Sequence, residues 1–436
     1  MGNKRPLWSS KYSFILTAIG SAVGLGNIWR FPYIMGQYGG AVFLAVYILI
    51  VSTICFIPLI NELYIGKFTK KECIGAYETI NPKLTYLGVL NPITSILITS
   101  FYFVVGGWII YYIIKSFSGN LAFVNNFELY FSDFTKNSFF QCVLTEIFMF
   151  ICLFLAARGL KKGIEASNKI LMPLLAVILI FLVCTSLSLP NAQKGLEYMF
   201  KPDFSKLNFE LVLAALGQAF FTLSLGSGIL ITYGSYIKED KTLVKSAYTI
   251  ILSDTIFAIL SGIMIFPIVF SFNMTPNSGA GLVFVTLPQI FSQLPNGNFA
   301  AGIFFVLLLC AAITSGISLI EVSCASLIEK FNLSRVKACI ILFLCISFIS
   351  IPTALSFGIL NDIKLFDKTI FDILDFLTSN ILMLMNAVFL CLISGWYLKI
   401  NGNEIIKNKF LANCFNIGLK YIVPIILLFF MFMGLN

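Results

Sequence analysis

The chain has 436 residues, 58% of them hydrophobic and only 11% charged, with a net charge of +9 and no histidine. A soluble globular chain carries about 25% charged residues, so this composition, with a mean hydropathy of +0.93, excludes a soluble enzyme, a disordered protein and a nucleic-acid binder. It indicates an all-α polytopic membrane protein.

The N-terminal segment MGNKRPLWSSKYS enters the first apolar run without a small-residue cleavage site, so it reads as a retained first span. Apolar runs separated by charged or Pro/Gly-rich connectors predict eleven transmembrane helices. They lie near 11–37, 40–66, 91–115, 139–157, 164–187, 208–236, 246–272, 298–327, 338–356, 370–398 and 412–434. With the N-terminus inside, 21 of the 29 Lys and Arg residues fall on inner segments, Lys4, Arg5 and Lys241 among them. Seven fall on outer segments, and Arg30 lies within a span. This asymmetry predicts a cytoplasmic N-terminus and, after eleven spans, an external C-terminus in the plasma (inner) membrane.

Without histidine there is no imidazole metal site and no Ser-His-Asp triad, and no acid pair stands beside a nucleophile. The reading is therefore of a protein that is not an enzyme. The 11 cysteines contain no C-x-x-C pair. Cys55, Cys152, Cys184, Cys310 and Cys391 sit inside apolar runs and are expected as small buried residues.

Two runs are interrupted. The first, TAIGSAVGLGNIWRFP, holds Gly20, Gly24 and Gly26 at its middle; the sixth, GQAFFTLSLGSGILITY, centres on Thr222, Ser224, Gly226, Ser227 and Gly228. Glycine costs roughly 1 kcal/mol in a helix interior, and a helix broken at mid-depth frees peptide groups that lipid cannot satisfy. A small-residue packing face is the other reading of the Gly20–Gly24 spacing. Spans 1 and 6 are five apart, which fits two inverted five-helix repeats, 11–187 and 208–398, with helices 1 and 6 broken, and an extra helix at 412–434. Residues 1–436 then form a single transporter domain.

The segments GSAVGLGNIWRFPY (Gly20–Tyr33), GQAFFTLSLGSG (Gly217–Gly228) and AAITSGIS (Ala311–Ser318) resemble the neurotransmitter:sodium symporters, in particular the short bacterial 11-helix type. The resemblance covers essentially the whole chain and implies the LeuT fold, in which the substrate binds at the membrane midplane between broken helices. It implies sodium-coupled import of an amino acid by alternating access, with Na+, in two sites, as the only cofactor and no organic one. The first sodium site would use Ala22, Asn27, Thr222 and Asp254, and the second Gly20, Val23, Ala311, Thr314 and Ser315. The Thr314 and Ser315 hydroxyls also fit back-bonding to their own helix.

By the same resemblance the substrate pocket comprises Ser21, Ala22, Leu25, Gly26, Ile98, Tyr102, Phe221, Thr222, Ser224, Gly226, Ser227, Ser318 and Leu319. Amine-carrying relatives place an acid where this chain has Gly24, so a zwitterionic amino acid is expected. The small Ser227 leaves room for an aromatic or large hydrophobic side chain. Asp254, with Tyr47 and Gln218, stands where many relatives bind chloride, which implies chloride-independent transport; a protonated Asp bonded between helices is the alternative.

Arg30 and Asp375 match the outer gate, and Arg5, Trp8, Tyr236 and Glu329 the inner one. Glu62 matches a prop for helix 6, while Gly163 and Pro173 match an unwinding motif in span 5 that also fits an ordinary kink. A proton-coupled or uncoupled carrier of the same fold would need a titratable group deep in span 5, where Lys169 lies only near the inner end. The partners implied are the substrate, sodium and the lipid bilayer; the sequence leaves the oligomeric state open.

Overall fold

The computed structural model describes residues 5–238, 243–272 and 281–435, so Lys4 and Lys241 lie outside it. Among the described residues there is no strand, only one isolated bridge between Leu365 and Lys368. Among them nine helices are each long and apolar enough to cross a bilayer: Ala41–Thr69, Pro82–Phe117, Ser138–Ala157, Leu160–Leu187, Leu243–Ser271, Gly297–Phe331, Arg335–Leu355, Ile370–Tyr397 and Lys409–Gly434. These are spans 2, 3, 4, 5, 7, 8, 9, 10 and 11. Span 1 is the bent pair Lys11–Ala22 and Gly26–Gln37, whose halves meet at 48°. Span 6 consists of Phe209–Thr222 and Ile229–Ser235, each too short to cross alone.

Burial separates centre from rim. In the most apolar window, 83% of span 8 and 78% of span 3 are buried, against 28% of span 11. Spans 3 and 8 make the most extensive helix contact among the described residues. At 1.5 Å per residue the 35-residue span 8 is about 52 Å long, well beyond a hydrocarbon core of about 30 Å, so it tilts or projects. These two central helices form the wall against which both breaks are set.

The breaks have separate backbone causes. In span 1 the helix stops at Ala22 because Val23 turns extended, with ψ of 91°. In span 6 three residues of five are left-handed: Ser224 at φ 53°, Gly226 at 74° and Gly228 at 83°. No right-handed helix accommodates that sequence of angles. Gly20, by contrast, lies inside the regular helix Lys11–Ala22 rather than at the break.

Elsewhere the boundaries move by a few residues. The α-helix of span 2 is interrupted at Ile54–Cys55, four residues before Pro58, which has no N–H to complete the ladder. Span 5 opens with a π-helical turn, Leu160–Glu165, and continues as helix through Pro173. Connectors that read from sequence only as loops carry short amphipathic helices, Cys73–Ile80, Phe127–Lys136 and Ala192–Phe200. The cysteine expectation needs one correction. Cys55, Cys152, Cys310 and Cys391 are buried, but Cys184 is exposed on the flank of span 5, where apolar side chains face the surroundings rather than a core.

Candidate functional site

The two breaks face one another across a cavity. From span 1 it is lined by Ser21, Ala22, Gly24, Leu25 and Gly26, and from span 6 by Phe221, Thr222, Ser224, Ser227 and Ile229. Ile98 and Tyr102 of span 3, Ser315 and Leu319 of span 8 and Met383 of span 10 close it. Gly24, Ile229, Ser315 and Met383 extend the set expected for the pocket from sequence. Gly226 and Ser318, which that set included, are turned elsewhere. Gly226 has its N–H on Glu62 at 2.7 Å and its carbonyl on Asn386 at 2.8 Å, and the Ser318 hydroxyl donates to Thr314 and meets Tyr233, both at 2.8 Å.

Inside the cavity the Tyr102 hydroxyl and the Ser21 hydroxyl have no partner among the described residues, although both are buried. Unpartnered hydroxyls beside an unwound backbone suit a polar ligand, because each would otherwise lose its hydration without replacement. Gly24 has no room for a side chain: a Cβ there would lie 2.4 Å from Ser315 Oγ.

Beside the cavity a buried carboxylate collects three donors. Asn27 donates to Asp254 Oδ1 at 2.7 Å, Thr222 to the same oxygen at 2.9 Å, and Tyr47 to Oδ2 at 3.1 Å. Three of the four expected first-site residues thus meet, and Ala22 ends the adjacent helix. Gln218 is not among the donors; its amide binds the Gly26 carbonyl at 2.9 Å. The Gly24 N–H donates to Asn27 Oδ1 at 3.1 Å, which releases the Gly20 carbonyl from its ordinary helical partner.

Around the second expected position, Ser315 donates towards the Ser21 carbonyl at 3.2 Å and the Gly20 carbonyl at 3.5 Å. Thr314 contacts its own helix, at Ala311 O (3.0 Å) and Cys310 O (3.2 Å). Back-bonding and bridging therefore divide between the two hydroxyls.

The ends of the bundle differ. At the Arg5 end, Arg5 pairs with Glu329, donates to Ser235 at 2.5 Å and lies 5.0 Å over the Tyr236 ring. Removal from water lowers the pKa of the Arg5 guanidinium, and nearby acidic groups partly oppose this. Trp8 seals the same end, its indole N–H on the Tyr233 carbonyl at 3.0 Å. At the other end Arg30 and Asp375 line a second cavity of about 230 Å³, together with Trp29, Phe101 and Phe371, but make no direct ion pair. Arg30 stacks 4.7 Å over Phe221, and Asp375 accepts from Ser379 at 3.0 Å.

Several participants escaped the sequence reading. Arg335 grips Glu321 through both nitrogens, at 2.6 and 2.9 Å, and Tyr236 donates to Glu321 at 2.8 Å. Ser9 is tied by its backbone to Glu165 at 2.9 Å. Asn386 and Cys73 hold the span 6 carbonyls of Gly226 and Gly228. Glu321 and Asn386 carried a readable signal, a polar group inside an apolar run, whereas Ser9 and Cys73 carried none.

The chain matches the model of the sodium:neurotransmitter symporter family over residues 5–141 and 133–435. It is 36% identical to the sodium-dependent transporter YhdH of Bacillus subtilis, covering 100% of this chain and 99% of that one. It is 35% identical to a sodium-dependent transporter of Haemophilus influenzae over 98% and 97% of the two chains. The crystal structure of MhsT in complex with L-phenylalanine superimposes with a TM-score of 0.90 at 39% identity, over 99% of this chain and 100% of that one. With its two breaks, central cavity and helix order, the chain belongs to the sodium:neurotransmitter symporter family and is an integral membrane protein with the LeuT fold.

Proposed function

We propose that this protein imports a zwitterionic amino acid with an aromatic or large hydrophobic side chain, driven by two sodium ions and without chloride. The observation that carries this reading is the pair of unpartnered hydroxyls, Tyr102 and Ser21, at the junction of the two breaks. The substrate carboxylate would sit there, against Tyr102 and the freed amides of span 1. Gly24 leaves no space for the acid that an amine would need. The side chain would point towards Ile98, Ser224, Ser227 and Leu319, and MhsT, which was crystallised with phenylalanine, supports an aromatic group.

The first sodium ion would rest on Asn27, Thr222 and Asp254 with the Ala22 carbonyl, and the second on the carbonyls of Gly20, Val23 and Ala311 with Thr314 and Ser315. Asp254 supplies in fixed form the negative charge that chloride brings elsewhere, with Tyr47 as its hydroxyl partner and Gln218 one helical turn before Thr222 on span 6. The two repeats, 11–187 and 208–398, would move around this midplane site. The Arg5 end faces the cytoplasm of a cell bounded by the plasma membrane, closed by Arg5, Trp8, Tyr236 and Glu329. The outer end is gated by Arg30 and Asp375. Gly163 and Pro173 would let the inner end of span 5 loosen, with Glu62 propping helix 6 throughout.

Each sodium entering down 100 mV and a tenfold gradient supplies about 3.7 kcal/mol. Two ions together give roughly 7 kcal/mol, enough for an accumulation on the order of 10⁵-fold. The test is uptake by purified protein in liposomes, scanning labelled amino acids under sodium, lithium, potassium and choline gradients. Sodium-dependent accumulation of phenylalanine, tyrosine, tryptophan or leucine is expected. Equal uptake under choline, or uptake driven by a proton gradient alone, would overturn the reading.

A further inference from the structure

Gly20 raises a question that the break does not answer, since it lies within a regular helix where alanine would be more favourable. The reason stands on span 5. A Cβ on Gly20 would lie 2.0 Å from Asn168 Oδ1, so the Asn168 carboxamide occupies the space that a side chain would fill. Asn168 is fully buried, and its Nδ2 donates to the Ile164 carbonyl at 2.9 Å. That bond fixes which way round the amide sits. Its Oδ1 then faces span 1 with no donor in reach among the described residues, and the other neighbour of that space is the Met172 sulfur, which donates nothing.

A buried carbonyl oxygen without a donor is unfavourable unless it meets a cation or water. Asn168 Oδ1 lies against Gly20 of span 1, whose carbonyl is released by the turning of the Gly24 N–H to Asn27 and is approached from span 8 by the Ser315 hydroxyl at 3.5 Å. Spans 1, 5 and 8 pack pairwise against one another. We propose that Asn168 Oδ1 is the span 5 oxygen of the second sodium site, an inference that rests on the second sodium position proposed above. Because Asn168 is anchored on Ile164, within the π-helical turn Leu160–Glu165, rearrangement of that turn draws the oxygen off the ion and favours its release.

The test reads sodium directly. Purified protein is titrated with NaCl against choline chloride, with no amino acid present, and its melting temperature is followed. Asn168→Ala should raise the half-effective sodium concentration on the order of 10-fold. Asn168→Asp keeps an acceptor and should stay within a few-fold of the parent; it also serves if the alanine variant does not fold. Ser315→Ala is the reference for the site itself. A Ser315→Ala shift with an unchanged Asn168→Ala titration overturns the role of Asn168 alone. Equal impairment in Asn168→Ala and Asn168→Asp overturns it too, by making the residue structural. No shift in Ser315→Ala removes the second-site reading and this inference with it.

Discussion

Asn27 in the first broken span donates its side-chain amide to the carboxylate of Asp254 in span 7 at 2.7 Å. The same Asn27 takes the Gly24 N–H through its other atom, at 3.1 Å. One amide thus joins the unwound backbone to a buried negative group, and two further donors, Thr222 and Tyr47, complete the carboxylate's shell. Charge-assisted bonds of this kind hold the break and span 7 in one register.

If Asp254 stands in for an anion, replacing external chloride with gluconate should leave uptake by the parent protein unchanged. Asp254→Asn keeps the shape and removes the charge. It should lower uptake on the order of 10-fold in gluconate, with chloride restoring part of the loss. A large loss in gluconate by the parent protein would refute the substitution of charge for chloride.

Ser227 lines the cavity and its hydroxyl is spent on the Ser224 carbonyl at 2.6 Å, so it limits size rather than binding polar groups. Ser227→Phe should weaken tryptophan binding on the order of 10-fold more than alanine binding, a difference of about 1–3 kcal/mol. Competition against a labelled amino acid measures it. Equal weakening of both would refute the size argument.

The Arg5 end is closed by an ion pair, a hydrogen bond to Ser235 and the Trp8 seal. Partly exposed pairs contribute little, at most about 1 kcal/mol. Arg5→Ala should therefore shift the closed population about five-fold rather than abolish it. Hydrogen exchange at the Trp8 amide, which donates to the Tyr236 carbonyl at 3.1 Å, should quicken to match. An unchanged exchange rate there would count against a latch.

Gly226→Ala tests the second break. Position 226 has φ of 74°, and an added Cβ would lie 1.9 Å from the Met383 carbonyl. Gly119→Ala is the control, because Gly119 has a similar φ of 76° with its nearest neighbour 3.9 Å away. The control carries only the strain of a left-handed residue, of order 1–3 kcal/mol. Gly226→Ala should melt at a lower temperature than the control and lose its stabilisation by added amino acid. Equal melting temperatures would show that the break tolerates a side chain.

Nine of the spans were legible because hydrocarbon demands apolar side chains over a fixed length, a constraint each of those helices meets on its own among the described residues. The breaks were legible as a pair, since either cluster alone also fits a small-residue packing face but the two recur five spans apart. Gly20 is the instructive exception: it read as part of the break, yet it is small because Asn168 of span 5 presses on it. Gln218 likewise read as a neighbour of Asp254, while its amide in fact reaches the Gly26 carbonyl.

Composition and periodicity alone determined that this protein lives in a membrane, where its helices run, and where two of them fail. Only the tertiary structure decided which freed carbonyls face which side chains. Asn386 closing on Gly226, Glu321 held between Arg335 and Tyr236, and Ser9 reaching Glu165 are contacts between residues 14 to 160 positions apart. A residue's tendency to enter lipid is local. Its hydrogen-bond partner is chosen by how distant helices pack, and that choice is written in no single segment.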